Sequence, residues 1–285
     1  STTLTMYSAE NCGIQKYESK IDAGAYVAGQ SFTIPTAGLH NVRYRALDNL
    51  NHQESDILTQ FNVDQTGPVG SISIDGGASY CTSTTVTLSL LATDPVGVSQ
   101  MRIRSDAGGW GAWQAYQASL PYTFTSSAEG TKNIGAEYKD AFGNTSATYS
   151  DTIEYRSPTV MNISGAKQTA DGRGVRLKDK IVTAVFPASG YFYIEESNRT
   201  SGIRVRSADL PGVNTFVTVD GITATVYAEH EIAATLVAPG GAAIAVKPME
   251  LNNKTLGGGP FHYQPGVPGS SGLNNIGLLV RTAGK

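Results

Sequence analysis

Four histidines, two cysteines and scattered carboxylates are the side chains from which this chain could build a reactive centre. His40, His52, His230 and His262 have no second His and no Cys at metal-ligand spacing. A structural zinc site needs about four such ligands, so the sequence offers no local cluster for one. Nucleophilic catalysis needs a Ser or Cys beside a His and an orienting carboxylate. Ser is frequent, but no Gly-x-Ser-x-Gly elbow occurs. His230 lies between Glu229 and Glu231. Neighbours on a strand point to opposite faces, which predicts a solvated rim rather than a relay. Glu195 and Glu196 could form the carboxylate pair of a glycosidase, but adjacency on a strand would aim them apart. Asp94, Asp140 and Asp220 fall where turns are expected, and turn geometry accounts for them. No Asp-x-Asp-x-Asp loop supports a calcium site. The expectation is therefore no catalytic residue, no metal and no cofactor.

Aromatic and basic residues offer a second kind of chemistry, the recognition of flat or anionic ligands. Tyr191 and Tyr193 could stack against rings, with Arg204 and Arg206 following a phosphate backbone and Lys178 and Lys180 nearby. Asp179, Glu195, Glu196 and Asp209 interleave with them, which disfavours nucleic acid. Tyr191 and Tyr193 share one strand face and Phe192 takes the other, so one set must be core. Trp110, Trp113 and Tyr116 recur at a spacing of three and could form a sugar-stacking platform or cover the edge of a sheet.

Strands must position these residues. With 32 Gly and only 16% charged residues, the composition favours loops and strands over helices. The net charge of −3 gives no reason to expect tight binding to nucleic acid or to an anionic membrane. No apolar run approaches the ~20 residues of a membrane-spanning helix, so no membrane insertion is expected. The stretch from Thr85 to Tyr155 organises the chain. Val86 to Asp94 alternates apolar residues with Ser and Thr, and Asp94-Pro95-Val96-Gly97 turns the chain. Gln100–Arg104, Tyr122–Phe124, Asn133–Lys139 and Tyr149–Tyr155 supply further strands, with a polar turn at Asp140-Ala141-Phe142-Gly143-Asn144. Short strands with turn signals about every ten residues predict a β-sandwich. Residues 1–66 repeat this pattern: Thr3 to Glu10 matches Val86 to Thr93, and Tyr44 to Asn51 matches Tyr138 to Asn144.

The segments "Leu-Leu-Ala-Thr-Asp-Pro-Val-Gly-Val", "Trp-Gly-Ala-Trp" and "Tyr-Lys-Asp-Ala-Phe-Gly-Asn" resemble bacterial immunoglobulin-like repeats of large secreted or surface proteins. The resemblance covers about residues 1–156. It implies seven-stranded sandwiches in an adhesive or spacer role without catalysis. Beyond Pro158 the pattern changes to five strands: Val175–Phe186, Tyr191–Glu196, Gly202–Arg206, Thr215–Thr223 and Glu231–Val237. In that order they fit a small Greek-key barrel. "Lys-Ile-Val-Thr-Ala-Val-Phe", "Tyr-Phe-Tyr-Ile-Glu-Glu" and "Ser-Gly-Ile-Arg-Val" resemble OB-fold domains of secreted bacterial proteins.

The expected architecture is all-β: an immunoglobulin-like sandwich at 1–66 lacking its initial strand, a second at 67–156, and an OB-like barrel with a Gly/Pro-rich tail at 157–285. The short joints at Val63–Pro68 and Arg156–Pro158 predict a semi-rigid rod. Ser1 lies in a strand-like run and residues 277–285 read as a strand entering something else. An excised part of a longer secreted protein is expected; the alternative is a subunit completed by a neighbour. Cys12 and Cys81 would sit at opposite ends of sandwiches, which makes a bond within one chain awkward and favours free thiols. Asn144, Asn162, Asn198 and Asn253 begin glycosylation sequons, which would be surface sites if used. The functional expectation is a non-catalytic extracellular or cell-surface structural or adhesive segment, in one version the subunit of a surface filament. Its partners would be proteins, through self-association or neighbouring domains. The alternative is a polysaccharide-binding accessory region of a larger secreted enzyme.

Overall fold

The computed structural model describes residues 2–8 and 13–282. Cys12, and with it any Cys12–Cys81 relation, lies outside the described residues. Cys81 is buried and forms no disulfide among the described residues. The described chain is all-β apart from two single-turn helices, and it folds around three separate buried clusters.

The first cluster lies between two sheets built from β1 (Thr2–Thr5), β2 (Ile14–Ile21), β3 (Val27–Ala28), β4 (Ser31–Ile34), β5 (Gly38–Asp48) and β6 (Ile57–Val63). One sheet is β1-β4, and the other runs β3-β2-β5-β6. The second cluster lies between sheets built from β7 (Val69–Ile74), β8 (Tyr80–Cys81), β9 (Thr85–Thr93), β10 (Val98–Arg104), β11 (Gln114–Ala115), β12 (Ser119–Thr123), β13 (Gly130–Asp140) and β14 (Tyr149–Tyr155). Their orders are β12-β9-β7 and β11-β10-β13-β14-β8. β9 buries Val86, Leu88, Leu90 and Ala92 and exposes every residue between them, so the period-two pattern translates directly into one core face.

The two sandwiches repeat one another down to their irregularities. β1–β4, β2–β3, β2–β5 and β5–β6 pair as β9–β12, β10–β11, β10–β13 and β13–β14 do. Both long pairs carry a register shift at the same place, after Ile14↔Asp48 and after Val98↔Asp140. Among the described strands β7 has no counterpart, and none pairs with the outer edge of β1. Gly70 on β7 is required by packing, because a Cβ there would collide with Leu91 O and stand 2.6 Å from the Tyr138 ring. Tyr138 itself is fully buried and its hydroxyl donates to Ser71 O at 2.5 Å.

The third cluster fills a closed barrel. β15 (Thr159–Val160) leads in and α1 (Ile163–Lys167) follows. The barrel strands are β16 (Gly174–Phe186), β17 (Tyr191–Glu195), β18 (Gly202–Arg206), β19 (Thr215–Val226) and β20 (Glu229–Ala242). The order is β16-β17-β18-β20-β19, and β19 pairs back onto β16 to close it. The β18–β20 pair is parallel; the others in the ring are antiparallel. β16 serves two neighbours because it shifts register between Leu177 and Lys180 against β19, with Asp179 at φ 54, and again between Val182 and Ala184 against β17. α1 is capped by Asn162, whose Oδ1 accepts from Gly165 N at 2.7 Å, and it packs Ile163 and Ala166 into the barrel core. All five strands expected from the sequence are present, with the last two extended to Val226 and Ala242.

The tail after Ala242 is mostly irregular. β21 (Met249–Leu251) pairs in parallel with β22 (Val280–Thr282), so the expected strand at 277–285 is short and paired within the chain as far as it is described. Because the sandwich and barrel cores share no side chain, Leu88→Ala and Leu177→Ala should each cost about 2–5 kcal/mol in a different calorimetric transition. Scanning calorimetry of both variants checks this; a common shift of one transition would show a single cooperative unit.

Candidate functional site

Alternation on β17 sends Phe192 and Ile194 into the core and Tyr191, Tyr193 and Glu195 to the opposite face, where the tail buries Glu195. β18 does the same with Ile203 and Val205 inside and Arg204 and Arg206 outside. Register then brings the candidates together, with Tyr191 opposite Arg206 and Tyr193 opposite Arg204. The parallel β18–β20 pair places Glu231 beside Arg204. Arg204 Nε donates to Glu231 Oε2 at 2.6 Å, and its other nitrogens donate to Glu229 Oε2 at 2.8 Å and Val226 O at 3.0 Å. Arg206 pairs with Glu231 Oε1. The Tyr193 hydroxyl donates to Glu229 at 3.0 Å. Burial, reinforced by the Glu229 charge, pushes that hydroxyl far above the usual tyrosine range. Phe186 completes an aromatic group, with ring centroids 4.9 Å from Tyr191 and 6.0 Å from Tyr193.

The four barrel candidates thus share one face, but their charges are already matched by two carboxylates. Such a surface offers little free positive charge to a phosphate backbone. Trp110 and Trp113 belong to the middle sandwich and do not join this face. The Arg102 guanidinium lies 4.7 Å from the centroids of both, and Lys139 Nζ lies 4.0 Å from that of Trp113. Their faces carry cations of the chain itself rather than an open platform. Tyr116 packs against the core and donates to Leu90 O.

Several expectations are corrected. His230 is fully buried, not on a solvated rim, because the alternation that turns Glu229 and Glu231 outward turns it inward. Its Nε2 meets Ala166 O at 3.1 Å, while Thr225 Oγ1 and Asp171 Oδ1 both meet Nδ1, at 3.1 and 3.3 Å. A relay needs hydroxyl and carboxylate on opposite nitrogens, so this trio is not one. Asp220 lies within β19 rather than in a turn and pairs with Arg176. Asn144 is no free surface amide; its Nδ2 donates to Asp64 O at 3.1 Å and Asp140 Oδ2 at 2.7 Å. Asn162 is exposed, as expected of a sequon, and also caps α1. Glu195 and Glu196 do diverge: Glu195 accepts from Leu279 N, and Glu196 bonds Lys180 and Ile163 N.

Folding also assembles groups that the sequence keeps apart. Carboxylate oxygens of Asp64, Asp94 and Asp140 lie within 4.8 Å of one another where the first sandwich meets the second. Asp64 Oδ1 accepts from Thr66, Asp94 Oδ1 from Val96 N, and Asp140 from Phe142 N and Asn144. Asp64 Oδ2 is inaccessible and has no hydrogen-bond partner among the described residues. These are the residues that could hold a divalent cation. Between the middle sandwich and the barrel lies a cleft of about 1270 Å³, lined by hydroxyls including Ser83, Thr84 and Thr225 and bridged by a Thr82–Thr235 hydrogen bond of 2.5 Å. Lys167 is 2% exposed and donates to Ile276 O at 2.7 Å and Asn274 Oδ1 at 3.3 Å. Burial pushes its pKa down to about 8.

Asp94→Asn keeps an acceptor for Val96 N but removes one of three converging charges, so in chelator it should raise stability by about 0.5–1 kcal/mol. The same comparison in calcium should reverse sign if a cation sits among the carboxylates. Lys167 has a folded pKa below its unfolded value of 10.5, so the unfolded state binds more protons between the two. Stability should therefore rise by roughly 3 kcal/mol as pH goes from about 8 to 10.5, and Lys167→Met should flatten that slope in urea melts.

No protein-family model matches the chain, and no curated protein matches it significantly in sequence. Among solved structures it is similar to the fibronectin(III)-like modules of Clostridium thermocellum CbhA. The identity is 13%, with 54% of this chain and 85% of that one covered and a TM-score of 0.36. It is also similar to the central fibronectin-III array of RIM-binding protein, with 10% identity, coverages of 81% and 88%, and a TM-score of 0.26. A tetra-tandem repeat in the extending region of a large adhesion protein gives 14% identity, coverages of 81% and 67%, and a TM-score of 0.24. At such identities and scores the similarity indicates neither a ligand nor a partner.

Proposed function

We propose that this chain is a non-catalytic structural or adhesive segment of an extracellular or cell-surface protein. In this reading residues 1–66 and 67–156 are immunoglobulin-like domains and residues 157–285 an OB-type domain. The barrel's strand order and its single parallel pair support the OB assignment. The observation that carries the structural role is the packed joint between the sandwiches. Asn144 holds the backbone of Asp64, and Gly67 lies so close to the next module that a Cβ would collide with Thr145 O. A joint gripped by the turn of its neighbour transmits orientation rather than acting as a flexible linker. The second joint runs from β14 through three residues into β15, which pairs with β16. Rigid sandwiches would then hold the barrel at a fixed distance and angle, and edge strands and loops would make protein contacts.

A second reading, a polysaccharide-binding accessory region, is favoured by the hydroxyl-lined cleft and by the Phe186–Tyr191–Tyr193 aromatic group. Small-angle scattering should give a rod-like profile for the intact chain, and Gly67→Trp should broaden its distance distribution by forcing the joint apart. An equally broad distribution in the unaltered chain would remove the spacer role. A glycan array read with the same protein separates the two readings: binding that Tyr191→Ala abolishes would favour the accessory role over the structural one.

A further inference from the structure

The buried charges beneath the tail have no part in the spacer role. Among the described residues Lys167 forms no ion pair within 4 Å, and Glu195 is fully buried with Arg199 Nε 3.9 Å away; both bond the backbone of one short tail segment, and Lys167 also donates to Asn274 Oδ1 at 3.3 Å. Lys167 holds Ile276 O and Glu195 holds Leu279 N, while Arg199 reaches Leu279 O at 3.3 Å. Gly277, at φ 88, lies against Gly202 so closely that a Cβ on Gly277 would stand 2.5 Å from Gly202 backbone atoms. On the other side of the segment, Asn275 Oδ1 accepts from Gly257 N at 2.7 Å. Burying charged groups is costly, and a fold that sets two of them against an irregular loop is fixing the loop's shape. That loop forms one wall of a pocket of about 380 Å³. Phe186 and Tyr193 line the barrel side; Leu256, Val267 and Leu278 line the tail side.

We propose that this pocket is a binding site for an uncharged aromatic ring, such as that of a phenolic or indolic small molecule. Its size lies in the range of small-ligand sites, which run from about 300 to 1,000 Å³. Its walls are aliphatic and aromatic, and among the described residues no Asp, Glu, Lys or Arg lines it. A sugar would bring hydroxyls that find few partners here, because the Tyr193 hydroxyl is engaged by Glu229 and the Asn275 amide by Gly257, Thr255 and Leu273. A flat ring would instead gain edge-to-face and stacked contacts with Phe186 and Tyr193. The pocket adjoins the outer face that carries Tyr191 and Arg204, but its ligand need not touch either.

The test uses the full chain with p-cresol, indole and glucose as probes, followed by ligand-observed and protein-observed NMR. Saturable binding of p-cresol or indole, with shifts centred on Phe186, Val267 and Leu278 and none with glucose, is the expected result. Ala184→Phe, which fills the pocket from the barrel side, should abolish binding without unfolding the chain. Phe186→Ala should weaken it roughly tenfold by removing an aromatic wall. Equal binding of glucose, unsaturable aromatic binding, or binding unchanged in both folded variants would overturn the assignment.

Discussion

The carboxylate of Asp140 is the constraint on which most of the first two bodies depends. It is 1% exposed, and its burial is compensated by two backbone N–H groups and the Asn144 amide, all of which it accepts from. Those bonds close the turn that ends β13, which fixes the register of β13 against β14 and hence which side chains face the core. The second donor of Asn144 then reaches back to Asp64, so one turn sets both the sandwich and its attachment to the preceding module. The first sandwich uses the same device: Asp48 accepts from Leu50 N and His52 N, and its carboxyl is held below the usual range by those bonds. An apolar residue at either position would leave several N–H groups without an acceptor.

The outer faces share a second theme, the pairing of prominent cations with a carboxylate and a ring. In the first sandwich Arg45 bonds Glu18 and stacks on Tyr26; in the second Arg102 bonds Glu137 between Trp110 and Trp113. The two pairs occupy the same register position with acid and base exchanged between strands. In the barrel Arg204 and Arg206 share Glu229 and Glu231 beside Tyr191 and Tyr193. Surfaces neutralised in this way select partners by shape and by aromatic contact more than by long-range charge. Salt screening changes contacts of that kind little.

Much of this was legible in the chain. The period-two alternation placed the β9, β13 and β16–β18 strands, since half-buried strands leave that pattern. It also separated Phe192 from Tyr191 and Tyr193, because a strand has only two faces. The same rule correctly turned His230 away from Glu229 and Glu231, but which side faced the core depended on α1, which packs over the end of the barrel and presents Ala166 O to the imidazole. Asp220 has the residue type of a turn, although it also falls within the expected strand Thr215–Thr223. In the folded chain Gly221 sits at a register shift of β19 against β20, where a Cβ would collide with Ala233 O at 2.5 Å.

The sequence by itself determined strand positions, the internal repeat and the kind of turn at Asp48 and Asp140, because each rests on residues within about ten positions of one another. Tertiary structure alone decided the groupings between distant segments. Asp64, Asp94 and Asp140 converge because the joint folds against two turns of the next module. Lys167 and Glu195 reach the tail across more than eighty residues of chain. The barrel closes through β19 onto β16 only because two bulges let one strand bend between neighbours. Such contacts leave no periodic trace, since their energy comes from burial and geometry that exist only once the chain has folded.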